Sequence, residues 1–326
     1  PEHLVAYKDC APHAVDAFLE WQGALPEDRP YLAYVNLLEA HHPRVPSAAS
    51  RAAVAPSEVV ERSLATDASL LRLMSAMEGH DTLDDEEREA VVATYDATLR
   101  DLDDATGRLL DGLRDRGVLD RTVVIVVSDH GENLGERGMW DHRWDLHQPL
   151  VHVPLIVRYP PSVVAGRHLD AVSTANLFGT VLALTGLPAP VGAGSLPPFG
   201  ADDQVFTELV VPTPRLPEVR RAWPDLIPRR WDRRYREVIE GPYALLQSDD
   251  GFTGLVDLVA DPGETTLLDD PARTARMVGL LERFEATRPK IDASLRTSED
   301  RPGDPLALRP GEAGLLEALG YVEPSP

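Results

Sequence analysis

Residues 122–160 read TVVIVVSDHGENLGERGMWDHRWDLHQPLVHVPLIVRYP. The run opens on Thr122–Val127, six apolar or β-branched residues with no polar alternation. That is the pattern of a strand covered on both faces, and so of a central, parallel position. A second apolar run, Val153–Tyr159, is stopped by Pro160-Pro161. Ser128-Asp129-His130-Gly131-Glu132 follows directly on the first run. A carboxylate and an imidazole there sit at the carboxyl end of a strand, where α/β sheets expose ligands. Together they offer a divalent cation a hard oxygen and a nitrogen. Gly131 permits a tight turn. Taken alone, the same residues more often form a turn or cap a helix.

Upstream, Val91, Tyr95, Leu99, Leu102, Leu109 and Leu113 recur at spacings of three, four or seven and predict a long helix. Asp84 and Glu87 form a capping-box pattern at its start, and Gly117 supplies the stop. A long helix running into a buried strand is half of a crossover unit, which predicts a doubly wound α/β architecture. Nearer the amino terminus, Tyr31–Asn36 (YLAYVN) reads as a strand after the breaker Pro30. It leads into Glu39-Ala40-His41-His42-Pro43. Residues 43–57, rich in Pro, Ala and Ser, read as surface loop. Downstream, a helix is predicted near Thr174–Leu184, and the large domain should end near Pro198. Val205–Val210, Glu237–Ile239, Tyr243–Leu246 and Leu255–Leu258 predict a small antiparallel sheet. Residues 211–235 read as a long structured loop.

The chain has 326 residues, 43% hydrophobic and 26% charged, with a formal net charge of −22. Such an excess of acid opposes nucleic acid and anionic membrane surfaces, which are bound through basic footprints. An acidic protein that handles an anion must concentrate positive charge locally, and a bound cation does so economically. Only Lys8 and Lys290 are lysines; the other basic residues are arginines. Cys10 is the sole cysteine, so no intrachain disulfide forms. No run approaches the roughly 18 apolar residues of a membrane span, and no targeting segment is recognisable, so localisation stays open.

The 122–160 stretch closely resembles the core of the sulfatase family within the alkaline phosphatase superfamily. Other stretches match it in order. YLAYVNLLEAHHP (31–43) resembles the family's strand and following loop, in which a histidine before a proline contacts substrate. Asp96–Asp120 resembles the helix before the metal loop, and VSTANLFGTVLALTGLPAP (172–190) the segment after the core. LVDLVADPGETTLLDD (255–270) with LEALGYVE (316–323) resembles the small domain. The resemblance covers nearly the whole chain apart from 44–80 and 211–235. It implies an α/β fold with an alkaline-phosphatase-like, mostly parallel central sheet flanked by helices. Residues 1–200 would be the later part of the large domain, and 201–326 a C-terminal α+β subdomain with an antiparallel sheet.

Carried over position by position, the resemblance implies that Asp129 and His130 are the second pair of metal ligands, where Asn often replaces the histidine. The divalent ion expected is Ca2+, with Mn2+, Mg2+ and Zn2+ as alternatives. His41 corresponds to the substrate-contacting histidine and His42 to a bystander. His142 stands where many members place a lysine on the charged ester oxygens, so His41 and His142 are the expected catalytic and substrate-binding residues. A free histidine is charged only below a pKa of about 6.5. That departure turns the expectation toward phosphate or phosphonate esters, or toward a sulfatase subgroup with Asp-His at this point. His147 and His152 read as packing or surface residues.

The family's nucleophile, a cysteine converted to formylglycine or a serine in CxPSR, does not occur in these 326 residues, and the family's pair of adjacent aspartates near the amino terminus is absent as well. Cys10-Ala11-Pro12-His13-Ala14 matches only the first and third letters. The nucleophile, any formylglycine and the remaining ligands are therefore expected in an amino-terminal part of a longer enzyme, and this chain alone should be inactive. The function implied is sulfuric ester hydrolysis, with a small-molecule sulfate or phosphate ester as partner. The alternatives are a phosphodiesterase or phosphonate monoester hydrolase, a lipid or sugar phosphotransferase of the superfamily, and a degenerate homologue that only binds an anion or a protein.

Overall fold

The computed structural model describes residues 10–27, 29–190, 193–196, 203–209 and 233–287. The chain divides into two compact units, Pro1–Glu282 and Arg283–Pro326. Of the second, only the last helical turn before residue 288 is described.

Among the described residues, five α-helices precede the first strand: α1 (Ala11–Gly23), α2 (Ala48–Val54), α3 (Ser57–Ala65), α4 (Leu70–Met77) and α5 (Asp85–Asp115). The central stretch then holds β1 (Val124–Val127), β2 (Asn133–Leu134), β3 (Trp140–Asp141), α6 (Gln148–Val151) and β4 (Leu155–Arg158). Beyond it lie α7 (Leu177–Thr185), the strands β5 (Val205–Leu209), β6 (Tyr235–Glu240), β7 (Tyr243–Ser248) and β8 (Thr253–Asp257), and α8 (Pro271–Thr287).

Helix α5 begins where its capping box predicts. Asp84 accepts the Glu87 backbone N–H at 2.8 Å, and Glu87 accepts the Asp84 N–H at 3.2 Å. Each side chain thereby satisfies a donor that the first helical turn would leave unpaired. The helix packs against α1 through Ala11, Val15 and Ala105, and its end closes on Val118 and Leu119. Of the predicted apolar stripe, Val91 and Leu113 are buried, whereas Leu99 faces outward, its register place being taken by Ala97 and Thr98.

Strands β5 to β8 form one antiparallel sheet in sequence order, each pair joined by a short connection or by the 210–234 segment. Its face is closed by α8, with Met277, Leu280 and Leu281 packed on Val238, Leu245 and Leu255. This is the antiparallel sheet expected from the strand and turn pattern.

Three expectations are corrected. Residues 43–57 are not all loop, because α2 forms at Ala48–Val54, with Ser47 accepting the Ser50 N–H at 3.1 Å as its cap. Tyr31–Asn36 forms no strand among the described residues; Leu32 and Tyr34 are more than four-fifths exposed. A strand requires a partner edge, and none of the described segments offers one there. The third concerns β1, which pairs antiparallel with β4, Val124 opposite Arg158 through Val127 opposite Leu155. The parallel pairing expected for 122–127 is therefore not made with this neighbour. Nor is β1 closed on both faces, since Val127 is 40% exposed, and on its partner β4 Ile156 is 60% exposed. No third described strand joins the pair. The expectations for Pro198, 211–232 and 316–323 fall outside the described residues.

Candidate functional site

The end of β1 delivers the chain into a tight turn. The Ser128 hydroxyl donates to the His130 carbonyl at 2.6 Å, and the His130 backbone N–H donates to Asp129 Oδ1 at 3.0 Å. From the other side the turn is gripped by α6. Gly131 N–H donates to the Leu150 carbonyl at 2.8 Å, and Glu132 N–H to the Pro149 carbonyl at 3.0 Å. A Cβ on residue 131 would stand 2.0 Å from the Pro149 carbonyl oxygen. Glycine is thus required by the close approach of two backbones rather than by turn geometry.

The Asp129 side chain is 80% exposed and that of His130 37%. The His130 ring contacts the Gly131 carbonyl through Nδ1 at 2.8 Å. With the proton on Nδ1 for that bond, Nε2 keeps its lone pair, and it lies 3.8 Å from Asp129 Oδ1. One carboxylate oxygen and one imidazole nitrogen at that separation can share a single divalent ion, with each bond in the usual range of roughly 2.0 to 2.6 Å. The donor set fits, and two ligands make only part of one.

β3 brings in the third imidazole. Asp141 holds a left-handed backbone, φ 70°, and His142 follows it. His142 Nδ1 lies 2.9 Å from Asp141 Oδ1 and 3.4 Å from both oxygens of Glu132. Burial opposes a charged ring here, but the hydrogen bonds to Asp141 and Glu132 outweigh it and raise the His142 pKa to about 9. The Asp141 carboxyl is buried too, which alone would raise it, yet the bond to His142 and the charge of Arg143 draw it down to about 2. The ring is therefore an imidazolium at neutral pH. Position 142 thus carries a positive charge beside His130.

The three histidines converge. The His142 ring stacks on His130 with centroids 4.2 Å apart, and His41 lies 5.3 Å from His142. His41 Nδ1 contacts the His42 carbonyl at 2.6 Å, across a chain that turns through a cis His42-Pro43 bond. His42 points elsewhere, its Nε2 2.7 Å from the Ala68 carbonyl, and burial lowers its pKa. His147 and His152 lie apart from the group, His147 bonded to Glu264 and His152 exposed.

Three residues of the site, Arg44, Glu132 and Asp141, carry no sequence expectation. Arg44 is buried and pairs with Glu132 Oε2 at 2.6 Å, with its guanidinium over the Tyr95 ring at 5.0 Å. Glu132, Asp141 and His142 place ligand atoms within 4.8 Å of one another, a second grouping that could hold a cation. Arg44, Arg143 and the imidazolium already set positive charge against its two carboxylates, so this trio is neutralised without an ion. The only available signals were Arg44 beside His41-His42-Pro43 and Glu132 in the 128–132 turn; the pairing itself joins residues 88 positions apart. Behind the site, Trp140 and Trp144 pack on Leu73, Met74, Met77 and Val91.

The sulfatase family profile matches residues 12–187, more than half of the chain. Among curated proteins, the choline-sulfatase of Rhizobium meliloti is 28% identical over 216 residues, 64% of this chain and 40% of that one. A sulfatase of Formosa agariphila is 30% identical over 240 residues, 73% of this chain and 43% of that one. The N-acetylglucosamine-6-O-sulfatase of Bacteroides thetaiotaomicron is 36% identical over 107 residues, 32% of this chain and 19% of that one. This chain therefore spans less than half the length of those relatives. Among solved structures, a protein in complex with its substrate D-glucosamine-2-N,6-O-disulfate superposes with a TM-score of 0.63 at 18% identity, covering 85% of this chain and 69% of that one. The phosphonate monoester hydrolase of Agrobacterium radiobacter gives a TM-score of 0.61 at 23% identity, covering 83% of this chain and 59% of that one. The shared architecture is the alkaline-phosphatase-like fold. On the profile match and the relatives together, the chain belongs to the sulfatase family.

Proposed function

We propose that this chain forms the later part of a metal-dependent sulfuric ester hydrolase, residues 1–200 belonging to its large domain and 201–326 to its C-terminal subdomain. The observation that carries the reading is the convergence of His41, His142 and His130 beside Asp129, at the carboxyl end of β1 and inside the family-matched span. Asp129 and His130 hold a divalent cation, with Ca2+ favoured over Mn2+, Mg2+ and Zn2+. When bound, that cation supplies neutralisation of the ester oxygens and favours a deprotonated nucleophile. His142, fixed through Nδ1 by Asp141 and Glu132, directs its other ring nitrogen toward a sulfate or phosphate oxygen of the substrate. His41 contacts the leaving-group side. The nucleophile and the remaining ligands come from outside these 326 residues, so the chain alone does not turn over an ester.

Calorimetric titration of the 326-residue chain with Ca2+ tests the metal assignment. Two protein ligands predict weak binding, with Kd on the order of 10⁻³ M or above. Asp129→Ala should abolish it. Tight binding, or binding indifferent to that substitution, would show that the ligands lie elsewhere, and hydrolysis of an aryl sulfate by the chain alone would refute its incompleteness. The likeness to the phosphonate monoester hydrolase of Agrobacterium radiobacter supports a second reading, phosphonate monoester or phosphodiester hydrolysis at the same residues. Turnover of nitrophenyl sulfate against a phenylphosphonate ester by an enzyme carrying the nucleophile separates the two.

A further inference from the structure

Glu264, in the connection from β8 to α8, lies 132 positions from Glu132, yet its carboxylate is 3% exposed and points at the residues that hold the β1 turn. Its Oε2 accepts the Gln148 N–H at 2.8 Å, and its Oε1 meets His147 Nδ1 at 3.1 Å. Arg137 lies 3.8 Å from Oε2 and also pairs with Asp145 at 3.3 Å. Gln148 is the first residue of α6, so Glu264 satisfies a donor that this helical turn would otherwise leave open. The next two residues of α6 are the ones that grip the candidate metal loop, Pro149 through Glu132 and Leu150 through Gly131.

The platform is itself rigidly made. Glu264 holds a left-handed backbone, φ 52°, with its N–H on the Asp261 carbonyl at 3.0 Å. The Asp261 carboxylate accepts the N–H groups of Thr265 and Thr266, both at 2.7 Å, and Leu268 N–H returns to the Leu255 carbonyl of β8 at 2.8 Å. A non-glycine residue in that backbone region persists only where its surroundings over-determine it. Arg137, at φ 51°, is in the same region at the other end of the contact. Strain is stored on both sides of a single ion-paired carboxylate.

We propose that Glu264 is a positioning residue for the site: through Gln148 and α6 it fixes the Gly131 and Glu132 backbones, and with them the Asp129-His130 pair and the carboxylate that orients His142. The relevance to catalysis rests on the function proposed above, but the mechanical coupling does not. The four-stranded sheet thereby becomes part of the catalytic scaffold instead of an appendage.

Residue-resolved amide hydrogen exchange on the full 326-residue chain, without metal or substrate, tests it. In Glu264→Ala the Gln148, Gly131 and Glu132 amides should exchange about tenfold faster or more, while β6, β7 and β8 keep their protection, as expected for local rather than global opening. Glu264→Gln should restore slow exchange, because its amide oxygen accepts from Gln148 and its NH2 can donate to His147 Nδ1 in the other tautomer. Should the alanine variant fail to fold, Glu264→Asp, shorter by one methylene, reports the same amides. The proposal is overturned if only Gln148 responds and Gly131 and Glu132 do not, if the sheet opens together with the turn, or if glutamine behaves as alanine does. A failed Ca2+ titration would sink the metal assignment and leave this result unchanged.

Discussion

Glu237 on β6 is 1% exposed, and one of its carboxylate oxygens has no hydrogen-bond partner among the described residues. Burial raises its pKa well above the ordinary carboxylate value, and the nearby charges of Glu264 and Asp145 push it further in the same direction. A neutral Glu237 also suits a cluster in which Arg137 already faces two carboxylates. The consequence for stability follows from proton counting. The unfolded side chain ionises near a pH of about 4.3, whereas the folded one keeps its proton to higher pH. Between those values the folded state binds more protons, so the contribution is full below the unfolded pKa and is lost as pH rises through the folded one. Glu237→Gln keeps the shape and removes the titration. Urea midpoints should show the variant gaining on the parent progressively as pH rises above about 4. Parallel pH profiles for the two proteins would mean that Glu237 titrates normally.

At the scale of elements, α5 offers a clean comparison of local and tertiary terms. Gly107 lies in its middle with nothing within 4 Å of where a Cβ would stand. Gly107→Ala should therefore stabilise the protein by about 0.5 to 1 kcal/mol, the cost of glycine's backbone freedom in a helix, and a fall in the thermal midpoint would show an unseen contact. This helix was legible in the sequence because its cap and its spacing are local properties, and so were β5 to β8, whose limits are set by turn residues such as Gly241 and Gly251, both at positive φ. The unread elements depend on distant chain. Tyr31–Asn36 has strand composition without a partner edge, and the direction of β1 is decided by β4. Helix α2 is a different case: proline and serine around it masked an Ala-rich segment with a serine cap. In the site the same division holds. Asp129, His130, His41 and His142 were nameable from motifs, whereas Arg44 and Glu264 act across long sequence separations, and nothing local names their partners. The glycine at 131 was visible, but the reason for it was not.

For the whole molecule, the dominant fact is charge: 54 acidic residues against 32 basic ones. Two opposing effects of salt follow. Exposed pairs such as Arg62–Glu86, Arg100–Asp104 and Arg108–Asp16 are weakened by screening, but each contributes only about 0 to 1 kcal/mol. The buried Arg44–Glu132 pair, 6% and 4% exposed, is screened far less. Against these stands the mutual repulsion of a net charge of −22, which acts on the compact state as a whole and relaxes on unfolding. Because 22 carboxylates have no basic counterpart while the surface pairs are individually weak, repulsion should win. Raising NaCl from about 10 mM to about 0.5 M, which shortens the Debye length from roughly 30 Å to below 10 Å, should therefore raise the urea midpoint. A lower midpoint in high salt would mean that surface ion pairs outweigh the net charge. Asp129→Ala should show a smaller rise than the parent, since removing one exposed acid from the unpaired excess leaves less repulsion to screen.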